Sequence, residues 1–190
     1  MVDSAPQPGL TRRFFLAATT MPVVAGLVPA PAIAKARAQG LEQVLAFRHQ
    51  HTGEQLKIVY KADGRYVREN LRRIDRLLRD WRTGQIKPID PKLLDVLWDL
   101  QAKLETRGVI EVLSGFRAPR TNAMLRRKSE GVAKNSFHLK GKAIDLRIEG
   151  CTCRQVRKAA VAMARGGVGY YPTSNFVHLD TGAPRSWAWS

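Results

Sequence analysis

Metal-type ligands stand close together in Ser136-Phe137-His138-Leu139-Lys140-Gly141-Lys142-Ala143-Ile144-Asp145. Read as a strand from Lys142 to Ile148, this stretch puts Ile144, Leu146 and Ile148 on one face and Ala143, Asp145 and Arg147 on the other, because side chains alternate. The first face is core, so Asp145 points away from it. Gly141 permits a turn that brings His138 back towards Asp145. A second stretch, Asn175-Phe176-Val177-His178-Leu179-Asp180, puts Phe176, His178 and Asp180 on one face, with His178 and Asp180 roughly 7 Å apart along the strand. If the two strands are neighbours, His138, Asp145 and His178 converge. Two imidazoles and one carboxylate suit zinc and leave a fourth position for water. That is hydrolase chemistry, since bound water reaches a pKa of about 7 and the ion polarises a carbonyl. A His-x6-Asp spacing also arises by chance and buried histidines are common in cores, so spacing alone leaves both readings open.

The elements that must position these residues can be read from periodicity. Val44–Phe47 and Leu56–Tyr60 are apolar stretches around His51-Thr52-Gly53-Glu54, which predicts a hairpin. Leu71, Ile74, Leu77, Leu78 and Trp81 recur at helical spacing, closed by Gly84. Asp90-Pro91 opens a second helix, with Leu93, Leu94, Leu97, Leu100 and Leu104 on its apolar face. Val109–Leu113 reads as a buried strand running into Ser114-Gly115-Phe116-Arg117. Asn122–Arg127 is a short helix, Arg154–Arg165 a long one, and Val168–Tyr171 and Phe176–Asp180 are strands. Helices and strands mix without a repeating βαβ pattern, which predicts an α+β fold with a mainly antiparallel sheet. His49 and His51 have no evident third ligand and are expected to be exposed. Trp187 and Trp189 are expected to pack the domain rather than edge a groove.

The start of the chain speaks to its compartment. Thr11-Arg12-Arg13-Phe14-Phe15-Leu16 precedes an apolar run to Ile33 broken by Pro22, Gly26 and Pro29, with small residues from Ala32 to Ala38. This resembles a bacterial twin-arginine export signal over residues 1–38, which implies the twin-arginine machinery as a partner and a periplasmic domain over 39–190. The run is too broken and too weakly apolar for an anchor. Lys and Arg number 32 against 16 acidic residues. The proposed leader holds four of those bases and one acid, so the excess belongs to the domain. Without an aromatic–basic RNA motif, finger spacing or helix-turn-helix, nucleic acid is set aside. A carboxylate-rich wall polymer fits the charge. Cys151 and Cys153 are too close in sequence for an unstrained bridge, which leaves plain thiols or a local bridge.

The pattern Ser-x-His-x-x-Gly-x-Ala-x-Asp, filled by Ser136, His138, Gly141, Ala143 and Asp145, resembles the D-Ala-D-Ala metallopeptidase and hedgehog superfamily. Ser114-Gly115-Phe116-Arg117 with Asn122 is similar to its Ser-x-x-Arg…Asn element. Gly169-Tyr170-Tyr171-Pro172, the Phe176–Gly182 stretch and Arg185-x-Trp187 resemble the YcbK-like branch of periplasmic murein endopeptidases. The resemblance covers residues 40–190. It implies a zinc enzyme, acting as a monomer, that hydrolyses amides in peptidoglycan stem-peptide cross-links. His138, Asp145 and His178 are then the ligands, Arg117 the catalytic cation, and Arg117, Ser114 and Asn122 the substrate-binding element. A carboxypeptidase on the same substrate and a non-catalytic zinc-containing wall-binding domain are the alternatives. Relatives carry an acid three residues before the last His, where this chain has Asn175. That makes Asp180 the substitute general base or, equally, a residue that only orients a ligand.

Overall fold

The computed structural model describes residues 42–129 and 131–189; the expected signal segment lies outside them. Strands Gln43–His49 (β1) and Gln55–Ala62 (β2) form the expected hairpin, extended by the short strand Arg65–Tyr66 (β3). Then come helices Arg68–Leu77 (α1) and Pro91–Lys103 (α2), strand Ile110–Ser114 (β4) and helix Pro119–Lys128 (α3). A 3-10 turn, Phe137–Lys140, leads to strand Ala143–Ile148 (β5) and helix Cys153–Met163 (α4). Strands Gly167–Tyr171 (β6), Phe176–Asp180 (β7) and Arg185–Ala188 (β8) complete the domain.

Among the described residues all eight strands join one sheet in the order β3-β2-β1-β4-β5-β7-β6-β8. Only β1 with β4 and β6 with β8 run parallel. The α+β fold with a mainly antiparallel sheet is therefore as the periodicity predicts. One core joins the sheet to its helices: Leu45, Phe47, Ile110, Val112, Ile144, Leu146, Val177 and Leu179 from the strands meet Ile74, Leu93, Leu97, Leu100 and Val156. Burying a side chain of this kind is worth about 1.5–3 kcal/mol, so the strand alternation that sends Asp145 and His178 the other way is strongly held.

Local chemistry sets the ends of the elements. Asp90 caps α2 by accepting from the Lys92 N–H at 3.0 Å, and Thr152 and Gln155 form a capping box on α4. The first helix stops at Leu77, short of the predicted Trp81. Asp80 is the reason: its carboxylate accepts from the N–H groups of Arg82 and Thr83 at 2.9 and 3.1 Å and turns the chain. Strands β3 and β8, too short for a periodic signal, were not expected. Cys151 and Cys153 are both free thiols. Among the described residues no helix is long and apolar enough to cross a membrane.

Candidate metal centre

Asp145 lies opposite His178 in the β5–β7 register, and next to Ser114 in the β4–β5 register. His138 is delivered by the 3-10 turn. Ser136 opens that turn by accepting from the His138 N–H at 3.3 Å, and Gly141 closes it at φ 66°. A side chain at Gly141 would be strained there and would run into the Pro88 carbonyl. The Asp90 N–H donates to the Gly141 carbonyl at 2.9 Å, locking the turn to the start of α2.

The outcome is a triangle. His138 Nε2 is 3.2 Å from Asp145 Oδ1 and 3.1 Å from His178 Nδ1, and His178 Nδ1 is 2.9 Å from the same Asp145 oxygen. The opposite edge of each ring is taken: His138 Nδ1 donates to the Gly115 carbonyl at 2.7 Å, and His178 Nε2 donates to Asp180 Oδ2 at 3.0 Å. With both imidazoles neutral and their protons directed outward, the state that a bound metal ion requires, three lone pairs would meet at one point. Tetrahedral zinc with ligands at about 2.0–2.2 Å needs donors about 3.3–3.6 Å apart, so a spread of a few tenths of an ångström lets these residues take the ion. The outward partners, a backbone carbonyl and a carboxylate, are those that fix ligand histidines in metal sites.

The electrostatics favour positive charge at that point. Burial pushes the His138 imidazole down, outweighing the pull of Asp145. Burial acts the same way on His178, but its hydrogen bonds to Asp145 and Asp180 prevail and hold it above its ordinary value. Burial works against the Asp145 carboxylate, yet His138 and His178 keep it well below the usual range. Asp180 is likewise held low, against its burial, by His178, Arg185 and the Gly182 N–H.

The triangle forms the floor of a cleft of about 350 Å³. Arg117 lines it, with Nη2 donating to Asp145 Oδ2 at 3.3 Å and Nη1 to Asn122 Oδ1 at 3.4 Å. Its Nε is buried with no hydrogen-bond partner among the described residues. Asp80 places this arginine: Asp80 Oδ2 accepts from the Ala118 N–H at 2.7 Å, at the N-cap residue just before α3. Ser114 and Asn122 do not line the cleft. Asn122 is buried and spans from Arg117 to the Ala133 carbonyl, so its contact is with the arginine and the rim loop. Asn175 is outside the cleft as well, at φ 52° in the turn before β7.

Two tryptophan expectations need correction, because Trp187 and Trp189 both line the cleft, with Tyr171 and Phe176. Trp187 lies over Gly169, where a Cβ would come within 2.7 Å of the indole, and its Nε1 donates to the Tyr171 hydroxyl at 3.1 Å. It stands 5.3 Å from the His178 ring. A glycine opposite His178 on β6 is the sequence signal that a large neighbour must fit there. His49 also departs from expectation: it is buried, not exposed.

A family model described as peptidoglycan L,D-endopeptidase MepK matches residues 37–187. The chain belongs to this family. The peptidoglycan L,D-endopeptidase MepK of Escherichia coli (strain K12) is 45% identical over 177 residues, which cover 93% of this chain and 96% of that protein. The probable peptidoglycan L,D-endopeptidase MepK of Haemophilus influenzae is 47% identical over 146 residues, 76% of this chain and 78% of its own. Family membership bears out the resemblance to murein endopeptidases, and every residue of the triangle lies inside the matched span.

Proposed function

We propose that this protein is a zinc-dependent peptidoglycan endopeptidase that hydrolyses an L,D amide bond in stem-peptide cross-links. The observation that carries it is the convergence of His138 Nε2, Asp145 Oδ1 and His178 Nδ1 within 3.2 Å of one another at the floor of a cleft, in a chain similar over nearly its whole length to named L,D-endopeptidases. Bound there, zinc would supply Lewis acidity towards the scissile carbonyl and activation of water. His138, Asp145 and His178 hold the ion. Arg117, at the edge of Asp145, presents a cation to the substrate carbonyl or carboxylate and steadies negative charge as the amide is attacked. The aromatic side of the cleft excludes water from the stem peptide.

Asp180 serves this reading as an orienting residue rather than a base. Its side chain is 0% exposed. Its oxygens accept from Gly167 N–H, Gly182 N–H, Arg185 and His178, which leaves no direction open to substrate. In this reading the Arg12-Arg13 segment is a leader for the twin-arginine route to the periplasm, where a monomer works on the wall.

One observation favours a second reading, a wall-binding domain that keeps zinc for structure. Among the described residues, the acids lining the cleft are Asp145 and Asp180, and both are engaged. A digest of purified peptidoglycan, with and without chelator, decides between them. The endopeptidase turns cross-linked dimers into monomers, and chelator stops it. Binding with no product would establish the scaffold, and free D-alanine without monomers a carboxypeptidase.

A further inference from the structure

Arg185 on β8 makes no hydrogen bond to any of the three ligands, yet one carboxylate links it to them. Its Nη1 and Nη2 donate to Asp180 Oδ1 and Oδ2 at 3.1 and 2.6 Å. Such a two-pronged pairing fixes the plane of a carboxylate as a single charge cannot. Asp180 Oδ1 also accepts from the Gly167 and Gly182 N–H groups at 3.1 and 2.8 Å. Held so, Asp180 turns Oδ2 towards His178 Nε2 at 3.0 Å.

The surroundings are built for this pair. A Cβ at Gly167 would run into Asp180 Oδ2, and one at Gly182 would stand 2.9 Å from Asp180 Oδ1 and 3.1 Å from Arg185 Nη1. Arg185 is steadied from outside by the Ala183 carbonyl at 3.1 Å and by the rings of Phe137 and Trp187, 5.2 and 5.1 Å away. A carboxylate buried this deeply needs a cation with matching geometry, and Arg185 meets that need while its own side chain is 42% exposed at the cleft wall.

We propose that Arg185 is a positioning residue of the metal centre. By fixing Asp180, it keeps the Nε2 proton of His178 outward and the Nδ1 lone pair on the ion site. The inference rests on the reading above only in taking zinc as the ion. A purely structural role, pinning β8 to β7, would lower thermal stability but leave zinc affinity in the folded protein unchanged.

The test measures zinc Kd by chelator competition on purified wild type, Arg185→Met and Arg185→Lys. Circular dichroism checks folding, and 15N histidine spectra report the His178 tautomer. The expected result is a Kd weakened about 10–100-fold in Arg185→Met and at least about fivefold in Arg185→Lys, which keeps the charge but loses the fork. The tautomer of His178 becomes mixed in the methionine variant. A folded Arg185→Met that binds zinc within twofold of wild type overturns the proposal. If that variant fails to fold, a within-twofold Kd in Arg185→Lys overturns it instead. Wild type that binds zinc but leaves peptidoglycan intact removes the hydrolase reading and spares this one. Wild type that binds no zinc removes both.

Discussion

Of the chain's four histidines, His49 and His51 sit at one turn, while His138 and His178 come from distant elements. Burial does not separate the functional candidates, because His49 is 1% exposed, His138 2% and His178 8%. What the nitrogens face does. His49 Nδ1 accepts from the His51 N–H at 3.2 Å, and its Nε2 is buried with no hydrogen-bond partner among the described residues. The nearby Glu54 is already held by Arg79 and Thr52, and His51 stacks on Trp81 at 4.2 Å. His138 and His178 instead turn one nitrogen each towards the other ring and a shared carboxylate, with the opposite nitrogen held from behind. Convergence, not depth, distinguishes the candidate metal centre from a packed ring. Within the second pair there is a further contrast. The backbone carbonyl of Gly115 orients His138, so no substitution removes that acceptor, whereas the side chain of Asp180 orients His178.

Substitutions can break this contrast at either end. The largest effect is expected from His178→Ala, which loses bound zinc and endopeptidase activity together, whereas His49→Leu keeps both. Metal analysis beside a muropeptide profile checks this, and zinc retained in folded His178→Ala would refute the ligand assignment. Next is Asp180→Asn, with zinc affinity lowered about 10–100-fold and activity recovered at high zinc. Activity lost at full zinc occupancy would return Asp180 to the role of base. Asp80→Ala follows, costing about 2–3 kcal/mol by removing a buried carboxylate that accepts from three backbone N–H groups. Urea midpoints read that loss, and a loss below about 0.5 kcal/mol would mean the turn stands without it.

The smallest effect concerns pH. Burial first, then His51, holds the folded His49 below its ordinary 6.5. As pH falls below about 6.5, the unfolded chain therefore takes up a proton that the folded chain refuses until lower pH. Stability declines across that window and levels off below it. His49→Leu removes this one contribution, so its Tm should fall less between pH 7.5 and 5.5 than that of wild type. Equal falls would mean that His49 binds its proton alike in both states.

Most of the scaffold was legible, because alternation and helical periods are written in many residues at once: Ile144, Leu146 and Ile148 on β5, or the leucines of α2. Gly141 and strand parity bring His138 and Asp145 together, but the residues alone left the candidate triad open, and the resemblance to the metallopeptidase superfamily is what joined His178 to it. The triad's supports were not legible. Gly115 contributes a carbonyl that any residue carries, and Asp80 and Arg185 act across 38 and 5 positions of sequence, where no period signals a contact. Asp180 showed its face but not its partners, so its two roles read alike in the sequence, where the N–H groups of Gly167 and Gly182 that bond to it leave no signal. The cleft wall was misread for the same reason. Trp187 reads as a packing residue unless Gly169 is known to lie beneath it.

The most direct measurement is a crystal structure of the zinc-soaked protein with anomalous data at the zinc edge. One peak is predicted, bonded to His138 Nε2, Asp145 Oδ1 and His178 Nδ1 at about 2.0–2.2 Å. No peak at saturating zinc, or a peak on other residues such as His49 and His51, would contradict the account.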